Sequence, residues 1–413
     1  MPEENAVHET IKAASSYYTL ARLISPVSVE EFKNQYYERE PLLIQRGDRE
    51  YYRDLFTLAD LDRALMVTNL RADSIRVVVD GEETPISKLL ASSDDERLRG
   101  NELELIYQRF REGSTIVANA INERHEGLMR LCRSLDNDEN FNPQLNIYLT
   151  PPESRGFRPH YDTHDVMIVQ VHGSKRWNLY GAAAELPLRN QTWRTPEEGP
   201  GDPTHEFTLE SGDLLYLPRG TVHAGTSTHE ASMHVTIGIH PVLWADVFKK
   251  AIRSVVENDI AFRRALPIGF THDGDARAAA EGLAKQLAAA LLDQLPTPER
   301  MVSSSVWDRV VDQRHPELRG HLVDLQMGQI TADSLIRRRP EVQALLGRDG
   351  DAVTLSFHGK SVRFPARVSP ELRDVVERDG RPFKPSQIAG NLDESGRSVL
   401  VAILLKEGFL TAA

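Results

Sequence analysis

Three side chains of this sequence could share one metal ion: His160, Asp162 and His223. The run Pro159-His160-Tyr161-Asp162 sets an imidazole and a carboxylate two residues apart. In an extended segment, residues two apart point to the same side, so His160 and Asp162 converge while Tyr161 faces away. A second run holds Gly212, Pro218, Gly220 and His223 in a spacing that reads as strand, tight turn, strand. His223 then starts the returning strand, and inside a β-barrel it can face the same interior as the first pair. Two imidazoles and one carboxylate form a facial triad suited to Fe(II), with positions left open for a bidentate 2-oxo acid and for O2. His-x-Asp alone is common in polar surface sequence. The timed turn before His223 gives it weight.

A bound 2-oxoglutarate would need a cation for its distal carboxylate, and Lys175 is the candidate. It begins a strand after the Gly173-Ser174 turn and offers a point charge with three donors. Arg176, one residue on, should face the opposite side. Taken alone, Lys175 reads as an exposed hairpin lysine. Asn146 and Tyr148 share a strand face, where an amide and a phenol could orient the co-substrate. His164 keeps the parity of His160 and Asp162, which aims it at the pocket entrance. Arg155 and Arg158 precede the triad as candidate substrate contacts. His172, His229, His234 and His240 read as mostly structural or exposed.

These residues need strands to position them. Between Asn146 and Pro241, short strand-like runs alternate with turns: Asn146 to Thr150, Asp165 to Val171, Lys175 to Tyr180, Asp213 to Leu217, and Ser232 to Ile239. Such a run of short strands with Gly and Pro punctuation predicts a sandwich or barrel. Residues 183–204 are polar and rich in Pro and Gly, as in an insertion loop. Upstream, Ser28 with Glu31 and Thr57 with Asp60 read as helix N-caps. Ser74 to Val79 reads as a strand closed by a turn at Asp80-Gly81, and 121–136 as an amphipathic helix. Residues 243–338 read as helical, with Leu283, Leu287, Leu291 and Leu292 at helical spacing. Pro340 marks a boundary. Beyond it, a ribbon of Ala352 to Phe357 and Lys360 to Phe364, turning at His358-Gly359, precedes helices in a winged-helix-like order.

Three runs carry a family resemblance: Asn146-Ile-Tyr-Leu-Thr-Pro-Pro, Gly156-Phe-Arg-Pro-His-Tyr-Asp-Thr-His-Asp-Val and Gln170-Val-His-Gly-Ser-Lys-Arg-Trp-Asn-Leu-Tyr. With the Gly212 to His223 segment, they resemble the JmjC-domain ribosomal oxygenases and their bacterial cupin-4 relatives. The likeness runs over nearly the whole chain. It implies an α+β fold with three parts. These are a double-stranded β-helix (a cupin or JmjC jelly roll) over 1–241, a helical dimerisation region over 242–339 and a winged-helix-like domain over 340–413. It implies His160, Asp162 and His223 as iron ligands, Lys175 as the partner of the 2-oxoglutarate C5 carboxylate, and Asn146 and Tyr148 as pocket lining. It also implies Fe(II) as cofactor, 2-oxoglutarate and O2 as co-substrates, and a homodimer. Two departures stand out. The first motif is His-x-Asp where many cupins have His-x-His and a later Glu, and this favours the oxygenase branch. Ser227 stands where an Asn often follows the second-motif histidine.

The resemblance implies hydroxylation of a protein side chain, arginine or histidine of a ribosomal protein. Alternatives are hydroxylation of another protein or a natural-product peptide, N-methyl demethylation, and a metal-binding cupin without catalysis that recruits a partner through the winged helix. The net charge of −12 suits a basic protein partner and makes nucleic acid an unexpected one. Cys132 is the only cysteine, which excludes an intramolecular disulfide and a thiolate zinc cluster. No secretory leader or membrane-spanning run is read, so a cytoplasmic setting is expected.

Overall fold

A computed structural model describes residues 8–11, 18–67, 74–79, 81–91, 102–196, 199–313, 318–339, 342–378 and 380–413. Asp80 and Pro340, to which a turn and a boundary were assigned, lie outside the described residues. The chain divides into two compact units, Ser15–Pro241 and Met1–Ala14 with Val242–Ala413.

The first unit carries β2 (Leu42–Ile44), β3 (Ile75–Val79), β4 (Glu82–Pro85), β5 (Thr115–Ala118), β6 (Gln144–Thr150) and β7 (Asp165–His172). It continues with β8 (Ser174–Ala182), β9 (His205–Glu210), β10 (Leu214–Leu217), β11 (Thr221–Ser227) and β12 (Ser232–Ile239); β1 (His8–Ile11) belongs to the second unit. Eight strands form one sheet in the order β2-β10-β7-β12-β6-β5-β3-β4, and three form another in the order β11-β8-β9. All the pairings are antiparallel. Gly173-Ser174 and Pro218 to Gly220 are expected as tight turns from one strand to the next. Both are instead corners between sheets, because β7 and β10 lie in the large sheet while β8 and β11 lie in the small one. Gly173 makes its corner possible: it has φ +62, and a Cβ there would stand 1.9 Å from the Ala231 carbonyl oxygen. Strand β9 was not foreseen after the insertion loop.

Alternation along the strands sorts side chains between two environments. Leu145 and Ile147 of β6, Met167 and Val169 of β7, Leu214 and Tyr216 of β10, and Val235 and Ile237 of β12 join a core with helical residues such as Leu23, Phe32, Leu131 and Leu135. Each such fully buried side chain contributes about 1.5–3 kcal/mol. The opposite faces of β7 and β10 turn toward the small sheet. There Val166, Ile168, Leu215 and Leu217 pack with Trp177, Leu179 and Leu209. Beside this apolar plug the inward positions become polar: Asn146, Tyr148 and Thr150 on β6, paired with Thr236, His234 and Ser232 on β12.

Both helix caps form. Ser28 Oγ accepts from Glu31 N at 3.1 Å, while Thr57 and Asp60 cap each other reciprocally at the start of the helix Leu58–Val67. The helix expected over 121–136 is a short 3-10 turn, Ile121–Glu123, followed by the helix Glu126–Glu139.

In the second unit, helices Trp244–Asn258, Gly274–Gln294 and Pro298–Trp307 precede β13 (Ile336–Arg338), β14 (Ala344–Asp349), β15 (Ala352–Phe357) and β16 (Lys360–Pro365). The β15–β16 ribbon turns at His358-Gly359 and joins β14 and β1 in a four-stranded sheet. The helices Ser369–Glu377 and Glu394–Lys406 share a core with that sheet, through Leu372, Val375, Leu400 and Leu404 against Leu355 and Phe357. Among the described residues, no helix is long and apolar enough to cross a membrane.

Candidate metal centre

His223 sits near the start of β11, and the segment leading to Asp162 is laid along that strand. His160 and His223 exchange backbone hydrogen bonds at 3.2 and 2.8 Å, Gly156 N donates to Gly225 O at 3.1 Å, and Gly220 N donates to Asp162 O at 3.1 Å. His160 therefore does not lie on a regular strand; it forms an isolated bridge to His223. The two-residue alternation still holds there, because the bridge keeps the segment extended. Tyr161 turns outward, donating to Gln191 O at 2.9 Å and meeting Trp193 edge-on in the insertion loop.

Ser227 pins the loop upstream. Its hydroxyl donates to Pro151 O and accepts from Ser154 N at 2.9 Å. The serine at this position is thus an anchor for the segment that delivers His160.

One ligand atom from each residue, a nitrogen of His160, an oxygen of Asp162 and a nitrogen of His223, lies within 4.8 Å of the other two, close enough to hold one metal ion. The histidines are oriented for it. His160 Nδ1 lies 2.8 Å from Arg158 O and His223 Nδ1 lies 3.0 Å from Thr221 O. A carbonyl only accepts, so each Nδ1 carries the proton and each Nε2 keeps its lone pair for a metal. His223 Nε2 is 3.7 Å from Asp162 Oδ2. Burial and the neighbouring His160 outweigh Asp162 and push the His223 imidazole down to about 4, so it is neutral at pH 7. For Asp162, burial acts upward, but His160, His223, His164 and His240 outweigh it and hold the carboxyl below its ordinary value. A neutral His223 beside an ionised Asp162 is the protonation state a divalent cation requires.

Lys175 is buried rather than exposed, at 3%. Nζ donates to Thr150 Oγ1 at 3.2 Å and lies 5.4 Å from the Trp177 ring. Burial pulls its amine down to about 7, and among the described residues no carboxylate offsets it. Glycine makes room for this side chain: a Cβ on Gly225 would come 2.8 Å from Lys175 Cε and 3.3 Å from the Trp177 ring. A buried cation without an anion is costly, and a bound carboxylate would relieve it. Arg176 is exposed, as its parity requires.

Asn146 and Tyr148 share the polar inward face of β6. The Asn146 carboxamide oxygen accepts from Ala120 N at 3.0 Å, which leaves its NH2 to donate. Burial keeps the Tyr148 phenol protonated by pushing it upward. His164 packs against His240 with ring centroids 4.5 Å apart and planes tilted by 31°, both half-buried at the outer end of this face. His172 and His229 are exposed. Arg155 bridges to Thr226 through its backbone, and Arg158 pairs with Glu82 at 3.2 Å. His234 is buried, at 3% exposure, beside Lys175 and Trp177.

Sequence reasoning passed over Asp165 and Arg219. Asp165 is fully buried and accepts from Tyr216 Oη at 2.6 Å, and from Arg219 N and Nη1, both at 3.1 Å. Arg219 also pairs with Glu38 at 2.5 Å. This network locks the corner between β10 and β11, and hence His223. The signal was a charge inside an otherwise apolar run, Asp165 before Val166 to Val169.

A JmjC domain model matches residues 117–247. Ribosomal oxygenase 2 of Mus musculus is 32% identical over 310 residues, covering 71% of this chain and 64% of that protein. The domain match and this identity support the JmjC-domain ribosomal oxygenase family for this chain. A Dictyostelium discoideum protein named bifunctional lysine-specific demethylase and histidyl-hydroxylase NO66 is 32% identical over 261 residues, covering 61% of this chain and 49% of that protein. The chain thus spans less than two thirds of the length of these relatives. YcfD, a ribosomal oxygenase from Escherichia coli in complex with cobalt and 2-oxoglutarate, aligns with TM-score 0.50 and 17% identity. That alignment covers 94% of this chain and 98% of YcfD, and at this identity it speaks for the fold.

Proposed function

We propose that this chain is an Fe(II)- and 2-oxoglutarate-dependent oxygenase that hydroxylates an arginine or histidine side chain of a ribosomal protein. The observation that carries the reading is the pairing of two features in one pocket. Among the described residues, a His-Asp-His group donates only through its two Nδ1 atoms, and Lys175 is a buried amine with no carboxylate partner. His160, Asp162 and His223 would hold Fe(II), and Lys175 would neutralise the distal carboxylate of 2-oxoglutarate, with Asn146 and Tyr148 lining the space between. Fe(II), 2-oxoglutarate and O2 together supply an oxidant able to hydroxylate an unactivated C–H bond, leaving succinate and CO2.

The residues of the chain do the rest. The carbonyls of Arg158 and Thr221 fix the histidine tautomers, and the Asp165–Arg219 network holds the corner that carries His223. The apolar plug of Val166, Ile168 and Leu215 keeps water from one side of the pocket. The His164–His240 pair at the outer end is suited to contact the substrate.

The family likeness and a net charge of −12 support a basic ribosomal protein as partner. The setting proposed is the cytoplasm. A homodimer is supported by the helix Trp244–Asn258. Trp244, Phe248 and Ile252 recur there every four residues and are 71%, 48% and 39% exposed. On this reading, 242–339 is the dimerisation region and 340–413 the winged-helix-like domain, with 1–241 as the catalytic domain. Incubation with Fe(II), 2-oxoglutarate and a panel of ribosomal-protein peptides tests the function. The reading expects succinate and a one-oxygen mass gain that Asp162→Ala abolishes. Full activity in Asp162→Ala would sink it. The name of the Dictyostelium relative favours N-methyl demethylation as a second reading. Formaldehyde release from a methylated peptide would separate the two.

A further inference from the structure

His234 is a buried imidazole that the proposed function does not use. It lies on the inward face of β12, directly opposite Tyr148 and one inward step from the Ser232–Thr150 pair to which Lys175 is anchored. Its ring is parallel to Tyr148, with centroids 5.0 Å apart and planes 6° apart, and it meets Trp177 edge-on at 5.7 Å. Trp177 in turn stands 5.9 Å from the His223 ring and 5.4 Å from Lys175 Nζ. His234 is therefore part of the wall joining the metal group to the lysine.

That wall is short of acceptors. Among the described residues, His234 Nδ1 and Trp177 Nε1 are buried without a hydrogen-bond partner, and Lys175 has a hydroxyl but no carboxylate. A buried polar group left unpaired costs about 1–3 kcal/mol, so such groups call for a partner. Two aromatic neighbours hold the ring in one plane, which makes a hydrogen bond from it directional. Resting on the proposed function, we infer that His234 is a further co-substrate-binding residue. It shares the distal carboxylate of a five-carbon 2-oxo dicarboxylate with Lys175.

The test is binding, read by calorimetry on the Mn(II)-loaded full chain without turnover. His234→Phe keeps an aromatic ring between Tyr148 and Trp177 but removes both nitrogens. The expected result is a loss of 2-oxoglutarate affinity of about tenfold or more, as for a hydrogen bond to a charged group. Affinity for Mn(II) and for 2-oxobutyrate, which lacks the distal carboxylate, should stay within about twofold. His234→Gln, which retains a donor, should recover part of the loss. Unchanged 2-oxoglutarate binding in His234→Phe would overturn the inference, and so would an equal loss for both acids. If His234→Phe does not fold, His234→Leu carries the same comparison. Failure of the wild-type chain to bind 2-oxoglutarate at all would instead strike the proposed function.

Discussion

Replacing Lys175 with methionine should stabilise the ligand-free protein while destroying its affinity for 2-oxoglutarate. Burial lowers the amine from 10.5 to about 7, a gap corresponding to about 5 kcal/mol of penalty on the charged form. Below about pH 7 the amine is charged in folded and unfolded chains alike, and the folded state bears the whole penalty. Between about 7 and 10.5 the folded amine is neutral while the unfolded one still holds its proton, so stability rises with pH across that window. Methionine fills much the same volume and has no charge to bury. It gives up the hydrogen bond to Thr150 and the contact with the Trp177 ring, each about 1 kcal/mol. The net gain expected at about pH 6 is about 3 kcal/mol, and it should be smaller at about pH 9. Urea unfolding followed by tryptophan fluorescence at the two pH values measures it. A destabilised Lys175→Met at the lower pH would refute the reasoning, as would a gain that does not shrink at the higher pH. Such a residue trades stability for function, as binding sites commonly do.

Binding of 2-oxoglutarate should restore the charge of Lys175. With its amine at about 7, complex formation at pH 8 should take up about 0.9 proton, read by calorimetry in buffers of different ionisation enthalpy. Asp165→Ala leaves Arg219 with Glu38 alone and takes the acceptor from the Tyr216 hydroxyl and from Arg219 N, and should cost about 1–3 kcal/mol in urea unfolding. Gly225→Ala presses on Lys175 and Trp177 and should cost about 1–3 kcal/mol, with weaker 2-oxoglutarate binding in calorimetry. Trp244→Ser combined with Phe248→Ser should convert a dimer to a monomer in sedimentation analysis, with metal binding retained.

The order of the motifs made much of the site legible in the sequence. Parity alone put His160 with Asp162, turned Tyr161 away, and separated Lys175 from Arg176. Parity says which residues share a face, but not which sheet a run joins. Gly173 and Gly220 signal a sharp turn equally well for a hairpin and for a corner, so the crossing between sheets was not readable. The surroundings of His234 were unreadable for the same reason. Its face becomes the pocket only because β12 pairs with β6, more than eighty positions upstream in the chain. Asp165 and Arg219 escaped because the energy of a buried ion pair depends on a third partner, Glu38, far away in sequence.

The central claim is that His160, Asp162 and His223 hold Fe(II) beside a 2-oxo acid anchored by Lys175. Anaerobic addition of Fe(II) and 2-oxoglutarate, followed by visible spectroscopy, tests it most directly, because a 2-oxo acid chelated to Fe(II) gives a charge-transfer absorption. That absorption should appear in the wild-type chain, be lost in Asp162→Ala, and require much more 2-oxoglutarate in Lys175→Met. No absorption in the wild-type chain, or an undiminished one in Asp162→Ala, would contradict it.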